Sequence, residues 1–253
     1  MKLNKSLWEN QQIICLTFDV DWASEDAIKY TYGIIDRYSF KTTFFLTHKS
    51  TFIENLIKNN YIDAGIHPNF LAGSSQGKNM KDILEYCLKL HPDAISFRCH
   101  KYFENNDITE LLYNEGFKYD SNLCTNLELV DPFIHRSGLI RFPIYFEDGA
   151  YLLHNNNLKF KDVKDNLFNR NGLYIVNIHP MHLAINTPDF SYMRKIKNSV
   201  SKKAWNNLTF NELEHLSYNG RGIRTFILEL FDFIKKENLP VLNLKEVYES
   251  IIN

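Results

Sequence analysis

The chain has 253 residues, 44% of them hydrophobic and 23% charged, with a formal net charge of −1. That balance is globular, and it excludes both a disordered polyelectrolyte and a field that would steer nucleic acid or anionic lipid. The length suits one large domain over 1–253, because α/β barrels of this size commonly stay undivided. Taken in order, Met1 to Gln12 lacks the apolar core of a secretory signal. No apolar run approaches the ~18 residues of a membrane span. The expected location is therefore the cytoplasm. Cys15, Cys87, Cys99 and Cys124 are scattered with no C-x-x-C pair, which fits free thiols in a reducing compartment.

The first apolar run, Ile13 to Phe18, reads as a buried strand that leads into Asp19-Val20-Asp21. On a continuing strand these two carboxylates would share one side, about 6.5 Å apart. Ser24 caps a helix running to about Tyr38, with Glu25 and Asp26 in its acidic first turn. Thr42 to Thr47 reads as a second strand, Ser50 as the cap of a helix, and Tyr61 to Ile66 as a third strand stopped by His67-Pro68. The loop from Asn69 to Asn79 has a length that is more often functional than merely connecting. A helix from about Met80 to Leu90 and a strand from Ala94 to Phe97 follow, leading into Arg98-Cys99-His100. Ile108 to Glu115 reads as a helix ended by Gly116.

Phe117 to Asp120, Leu139 to Ile144 and Leu173 to Ile178 read as further strands, the last ending in His179-Pro180. Asn155 to Arg170 reads as a loop plus a helix. Ile185 to Gly222 has no clear period and is expected to be a lid or excursion. Ile223 to Lys236 is an apolar helix, Val241-Leu242 a last strand and Leu244 to Ile252 a closing helix. Strands alternating with helices predict an α/β fold of parallel β/α units. In such barrels the chemistry gathers at the C-terminal ends of the strands. Asp19, Asp21, His67, Arg98, His100, Asp148 and His179 all fall at predicted strand ends.

These residue types suit hydrolysis of an amide or ester. A catalytic zinc-type site needs three nitrogen or oxygen ligands and an open position, which Asp21, His67 and one further His would supply. Such a metal lowers the pKa of its water to about 7 and polarises the carbonyl under attack. Asp19 beside it is the expected base, and His179 the expected acid for the leaving group. Arg98 would keep Asp19 ionised. Glu147 and Asp148 are either a plain acidic turn or the partner that orients the His179 imidazole. Trp22, Phe70, Tyr145 and Phe146 neighbour the centre, where they either stack on a sugar ring or pack in the core. Arg221 to Thr225 reads as an anion-binding helix start or a solvated one.

The order of these motifs resembles the polysaccharide deacetylases of the NodB-homology type, carbohydrate esterase family 4. Thr17-Phe18-Asp19-Val20-Asp21 is similar to that family's first motif, which implies Asp19 as base and Asp21 as metal ligand. Gly65-Ile66-His67 is similar to the opening of the second motif, Phe97-Arg98 to the third and Ile178-His179 to the fifth, with Glu147-Asp148 roughly where the fourth supplies an acidic partner. The fold implied is a distorted, incomplete (β/α) barrel. The second motif normally carries two histidines four residues apart, and here Leu71 holds the second position. His100 is the expected replacement and His182 the alternative. The runs His67-Pro68-Asn69-Phe70, Arg98-Cys99-His100 and Tyr119-Asp120-Ser121-Asn122 resemble a branch associated with bacterial surface-glycan synthesis.

The resemblance implies a metal-dependent deacetylase acting on an N-acetyl or O-acetyl group of a sugar or surface-glycan precursor. The metal expected is zinc, with nickel, cobalt or iron as alternatives, and Trp22, Asn69, Phe70 and Tyr145 are expected against substrate. Two other readings stand beside it. One is a carbohydrate-binding or scaffold protein that kept the barrel and lost catalysis. The other is a glycosyltransferase using Asp19-Val20-Asp21 as a metal-binding D-x-D.

Overall fold

A computed structural model describes residues 3–252; the outermost residues of the expected 1–253 domain lie outside the described residues. The strands are β1 Gln12–Asp19, β2 Thr42–Leu46, β3 Asp63–Ile66, β4 Ser96–Phe97, β5 Tyr119–Asp120, β6 Phe133–Ile134, β7 Ile140–Arg141, β8 Phe146–Glu147 and β9 Gly172–Ile178. They form one curled, open sheet in the order β6-β7-β5-β4-β3-β2-β1-β9-β8, the incomplete NodB-type barrel. Every pairing is parallel except that of β6 with β7. The crossover helices take the outer face, as parallel connections require.

Strand alternation assigns the two faces of the central pair. Ile14, Leu16 and Phe18 of β1, with Tyr174, Val176 and Ile178 of β9, join the cluster under the helices. Ile13 and Cys15, with Leu173 and Ile175, point the other way into a cluster closed by Leu244, Val247 and Ile251 of the last helix and by Trp8. Two residues further along the same inward columns stand Thr17 beside Asn177, which are register partners. The interior is thus apolar at its N-terminal end and polar at its C-terminal end, and the site's side chains enter it from strand ends.

The helix Glu25–Tyr38 is capped by Ser24, whose hydroxyl accepts from the Ala27 amide, and Thr51–Lys58 by Ser50 in the same way. The spans Met80–Leu90, Ile223–Lys236 and Leu244–Ile252 are helical. Other expectations shorten or change. The strands expected over 94–97, 117–120 and 139–144 pair over only two residues each, and Val241 makes one bridge to Ile14 rather than a strand. Asp148–Leu153 is a short helix. The patternless stretch 185–222 holds three helices, Phe190–Ser199, Lys202–Trp205 and Phe210–Leu216, capped by Asp189, Ser201 and a Thr209/Glu212 capping box. Two of them, with 4 and 7 residues, are too short for a 3.6-residue period to emerge, and in the third, of 10 residues, only Met193 and Ile196 are buried. No described helix is long and apolar enough to cross a membrane.

Gly65 lets β4 approach. A Cβ there would lie 2.5 Å from Ser96 Oγ, 2.7 Å from the Ser96 carbonyl and 2.8 Å from the Phe45 ring. Gly65→Ala is expected to destabilise the protein by about 1–3 kcal/mol, the usual cost of overpacking. A melting temperature unchanged from wild type would contradict this close contact.

Candidate active site

Asp19 ends β1, and the chain turns there rather than running on as a strand. Asp21 and Trp22 both have positive φ, 45° and 54°, and the Ala23 amide donates back to the Val20 carbonyl. Two successive left-handed residues in a four-residue turn are rare without glycine or asparagine. The Trp22 amide is held by Thr47 Oγ1 at 3.0 Å. The two carboxylates therefore meet through a turn and not through the i, i+2 spacing of a strand. A second left-handed pair, Lys101 and Tyr102 at 56° and 54°, follows His100. Both converging loops are thus held by such a pair, and a third, Asn126 and Leu127 at 49° and 73°, lies outside the group of Asp21, His67 and His100.

His67 leaves the end of β3 and is 1% exposed. The loop after it is pinned by Gln76, whose amide donates to the carbonyls of Thr47 and His67 and accepts from the Asn69 amide. His100 arrives from β4, its backbone N–H donating to the Pro68 carbonyl. His67 Nε2 and His100 Nδ1 converge on one oxygen, Asp21 Oδ1, at 3.1 and 2.9 Å. One ligand atom from each of these three residues lies within 4.8 Å of the others. Two imidazoles and a carboxylate are the donor set a zinc-like divalent ion takes, so these residues fit a metal. Burial alone would raise the Asp21 carboxyl, but hydrogen bonds from both histidines outweigh it and hold it well below the usual range.

Arg98 lies at the centre of the polar layer and is fully buried. Its Nη1 donates to Asp19 Oδ1 at 2.8 Å, Asn177 Oδ1 at 2.6 Å and Thr17 Oγ1 at 3.0 Å. Its Nε and Nη2 donate to the carbonyl and hydroxyl of Ser121, and its Cζ sits 4.3 Å above the Phe45 ring. Asn177 Nδ2 donates to the other oxygen of Asp19 at 2.8 Å. Desolvation pushes the Asp19 carboxyl up, but the charges of Arg98, His67 and His179 bring it below its ordinary value. Asp19 is thereby held in its deprotonated form.

His179 follows β9 across this layer. Asp148 is fully buried, and its two oxygens accept from the His179 backbone N–H at 2.8 Å and meet ring Nδ1 at 2.6 Å. The opposite nitrogen, Nε2, faces Asp19 and Asp21 at 3.9 and 3.7 Å. Burial would lower the imidazole, but the Asp148 charge and hydrogen bond push it up to about 10. Glu147, Asp148 and His179 also lie close enough to hold a metal. Their donors are already engaged, since Glu147 caps the helix 148–153 through the Ala150 amide and Asp148 takes both His179 groups.

The chain finds no match among curated protein sequences. A family model for WbmS-like polysaccharide deacetylases matches residues 16–197. The chain belongs to this family. Among solved structures it is similar to a candidate polysaccharide deacetylase involved in O-antigen biosynthesis, WbmS, from Bordetella bronchiseptica. That likeness has 25% identity, covers 89% of this chain and 91% of that one, and reaches a TM-score of 0.77. A candidate polysaccharide deacetylase from Mycobacterium smegmatis, 13% identical over 96% of this chain and 97% of its own, shares the fold at a TM-score of 0.51.

In this member of the family Leu71 lies in the 69–79 loop, and the position beside His67 is taken by His100, with ring centroids 5.7 Å apart. His182 packs edge-on against His179 at 5.6 Å, outside the Asp21–His67–His100 group. Burial lowers its imidazole to about 4. Trp22 and Asn69 line a cavity of about 560 Å³ that opens beside Asp21 and His100. The other two residues expected against substrate lie elsewhere. Tyr145 is in the core, its ring against Tyr174 and its hydroxyl donating to the Leu167 carbonyl. Phe70 packs on the cluster of Ile83, Phe97 and Cys99. Phe146 stacks on Phe226.

The Arg221–Thr225 helix start is occupied internally. Arg221 pairs with Glu229 at 2.7 Å, and Arg224 donates to the Ala184 carbonyl and the Ser217 hydroxyl. Sequence reasoning gave Thr17 and Ser121 no role beyond their place in motif runs, and it passed over Asn177. Thr17 stands two residues before Asp19 on β1 and Asn177 two residues before His179 at the end of β9, so the period of two was the available signal. The 119–122 run serves Arg98 and its loop: Ser121 binds the guanidinium, Asn122 Oδ1 accepts from the Cys99 amide at 2.9 Å, and Asp120 pairs with Arg141 at 2.8 Å.

Proposed function

We propose that the protein is a cytoplasmic, metal-dependent deacetylase that hydrolyses the acetamide of an acetylated sugar or surface-glycan precursor. The observation that carries the reading is the convergence of Asp21, His67 and His100 on one point, with Asp19 and His179 Nε2 facing it. Asp21, His67 and His100 would hold a divalent ion, zinc before nickel, cobalt or iron, which would supply Lewis acidity for the attack of water on the acetyl carbonyl. Asp19 takes a proton from water as its oxygen bonds to the carbonyl carbon. Arg98 and Asn177 hold that carboxylate still. His179 then gives its Nε2 proton to the sugar nitrogen as the C–N bond breaks, leaving acetate and a free amine. Asp148 fixes the ring so that Nε2 is the nitrogen aimed at the reacting atoms, and the raised pKa keeps it protonated for this role.

The test is acetate release from N-acetylated sugars by protein stripped with chelator and then resupplied with divalent metal. Release that appears only on resupply is the expected result. Acetate release unaffected by chelation, or absent with zinc, nickel, cobalt and iron alike, would overturn the reading.

A further inference from the structure

The cavity beside Asp21 and His100 is strongly basic on a chain that is nearly neutral. Four lysines line it: Lys101, Lys197, Lys202 and Lys203, from the turn after His100 and from two helices of the 185–222 excursion. All four are exposed to solvent. Its one lining carboxylate is Asp21, which the two histidines already engage. Among the described residues none of the four ammonium groups has a carboxylate within 4.0 Å, whereas lysines elsewhere, such as Lys5, Lys41 and Lys164, do. The Lys197 ammonium is steadied 5.2 Å above the ring of Trp205, which also lines the cavity.

Four like charges around one concave site repel one another unless an anion enters. Lysines serve as point-charge binders of phosphate and carboxylate. Trp22 lines the same cavity, its ring 5.1 Å from that of His100, and offers a sugar ring an apolar surface. A volume of about 560 Å³ falls in the range of small-molecule sites and leaves room for a charged group beside one ring.

We infer that the substrate is an anionic acetamido sugar, whose phosphate, diphosphate or carboxylate sits among Lys101, Lys197, Lys202 and Lys203 while the acetamide faces Asp21 and His100. This rests on the deacetylase reading and names its substrate class. The site selects by charge, so an uncharged sugar binds poorly.

The test is equilibrium binding, by calorimetry on the full chain, of four probes: N-acetylglucosamine, its 1-phosphate, UDP-N-acetylglucosamine and N-acetylglucosaminuronate. At least one anionic probe is expected to bind about 10-fold or more tightly than the neutral sugar at low salt, with the advantage shrinking as salt screens exposed charges. Preference for the phosphates or for the uronate identifies the source of the anion. Lys202→Glu/Lys203→Glu and, separately, Lys197→Ala are expected to erase the advantage with unchanged melting temperature, since these side chains are exposed. Equal binding of neutral and anionic probes, no measurable binding of any anionic probe, or an advantage untouched by both variants would overturn the inference. Acetate release is scored separately. Charge-selective binding without release under any metal would sink the deacetylase reading and leave the anion site standing.

Discussion

Replacing Arg98 with alanine is expected to lower the melting temperature by about 10 °C. Removing one partner of a buried ion pair costs roughly 3–5 kcal/mol, because the other charge is left uncompensated, and in a chain of this size each kcal/mol moves the transition by about 2–4 °C. Here the loss strands the Asp19 carboxylate together with Asn177 Oδ1 and both oxygens of Ser121 that the guanidinium serves. Arg98→Lys should recover only part of the loss. An ammonium cannot reach Asp19 on one side and Ser121 on the other as the planar fork does. A melting temperature within 2 °C of wild type, which corresponds to under about 1 kcal/mol in a chain of this size, would remove the buried pair from its structural role.

Asp19→Asn is expected to reduce acetate release by about 10²- to 10⁴-fold, the usual contribution of a positioned base. The variant keeps an oxygen for Arg98 and should retain metal, because Asp19 is outside the Asp21–His67–His100 group. Loss of turnover with metal content preserved separates the base from the ligands. If Asp19→Asn instead turned over at the wild-type rate, the proton would have to go elsewhere, and His179 would be the next group to test.

Much of this arrangement was legible because it depends on local rules. The caps at Ser24 and Ser50, the helices 80–90, 223–236 and 244–252, and the gathering of charged residues at strand ends follow from periodicity and capping. The parts that were not legible depend on tertiary contacts. Propensity places no tryptophan at φ 54°, so the turn that brings Asp21 to the histidines is fixed by Thr47 and the neighbouring strands. Strands of two residues, such as β6 and β8, carry no period. Tyr145 and Phe146, adjacent aromatics near an acidic pair, were equally consistent with a sugar platform and a core; packing against Tyr174 and Phe226 places both in the core. The excursion was different, since its Thr209/Glu212 capping box was present in the sequence and the absence of long periodicity masked it.

The three-residue convergence on Asp21 remains the centre of the account, and metal stoichiometry reads it without any substrate. Protein purified without chelator, or reconstituted with zinc, nickel, cobalt or iron, is predicted to carry about one divalent ion per chain, as a mononuclear site of this donor set would. The ion should be lost in Asp21→Ala, His67→Ala and His100→Ala and kept in His182→Ala. A wild-type chain that stays free of all four metals after reconstitution, or one that keeps its ion in His100→Ala and loses it in His182→Ala, would contradict it.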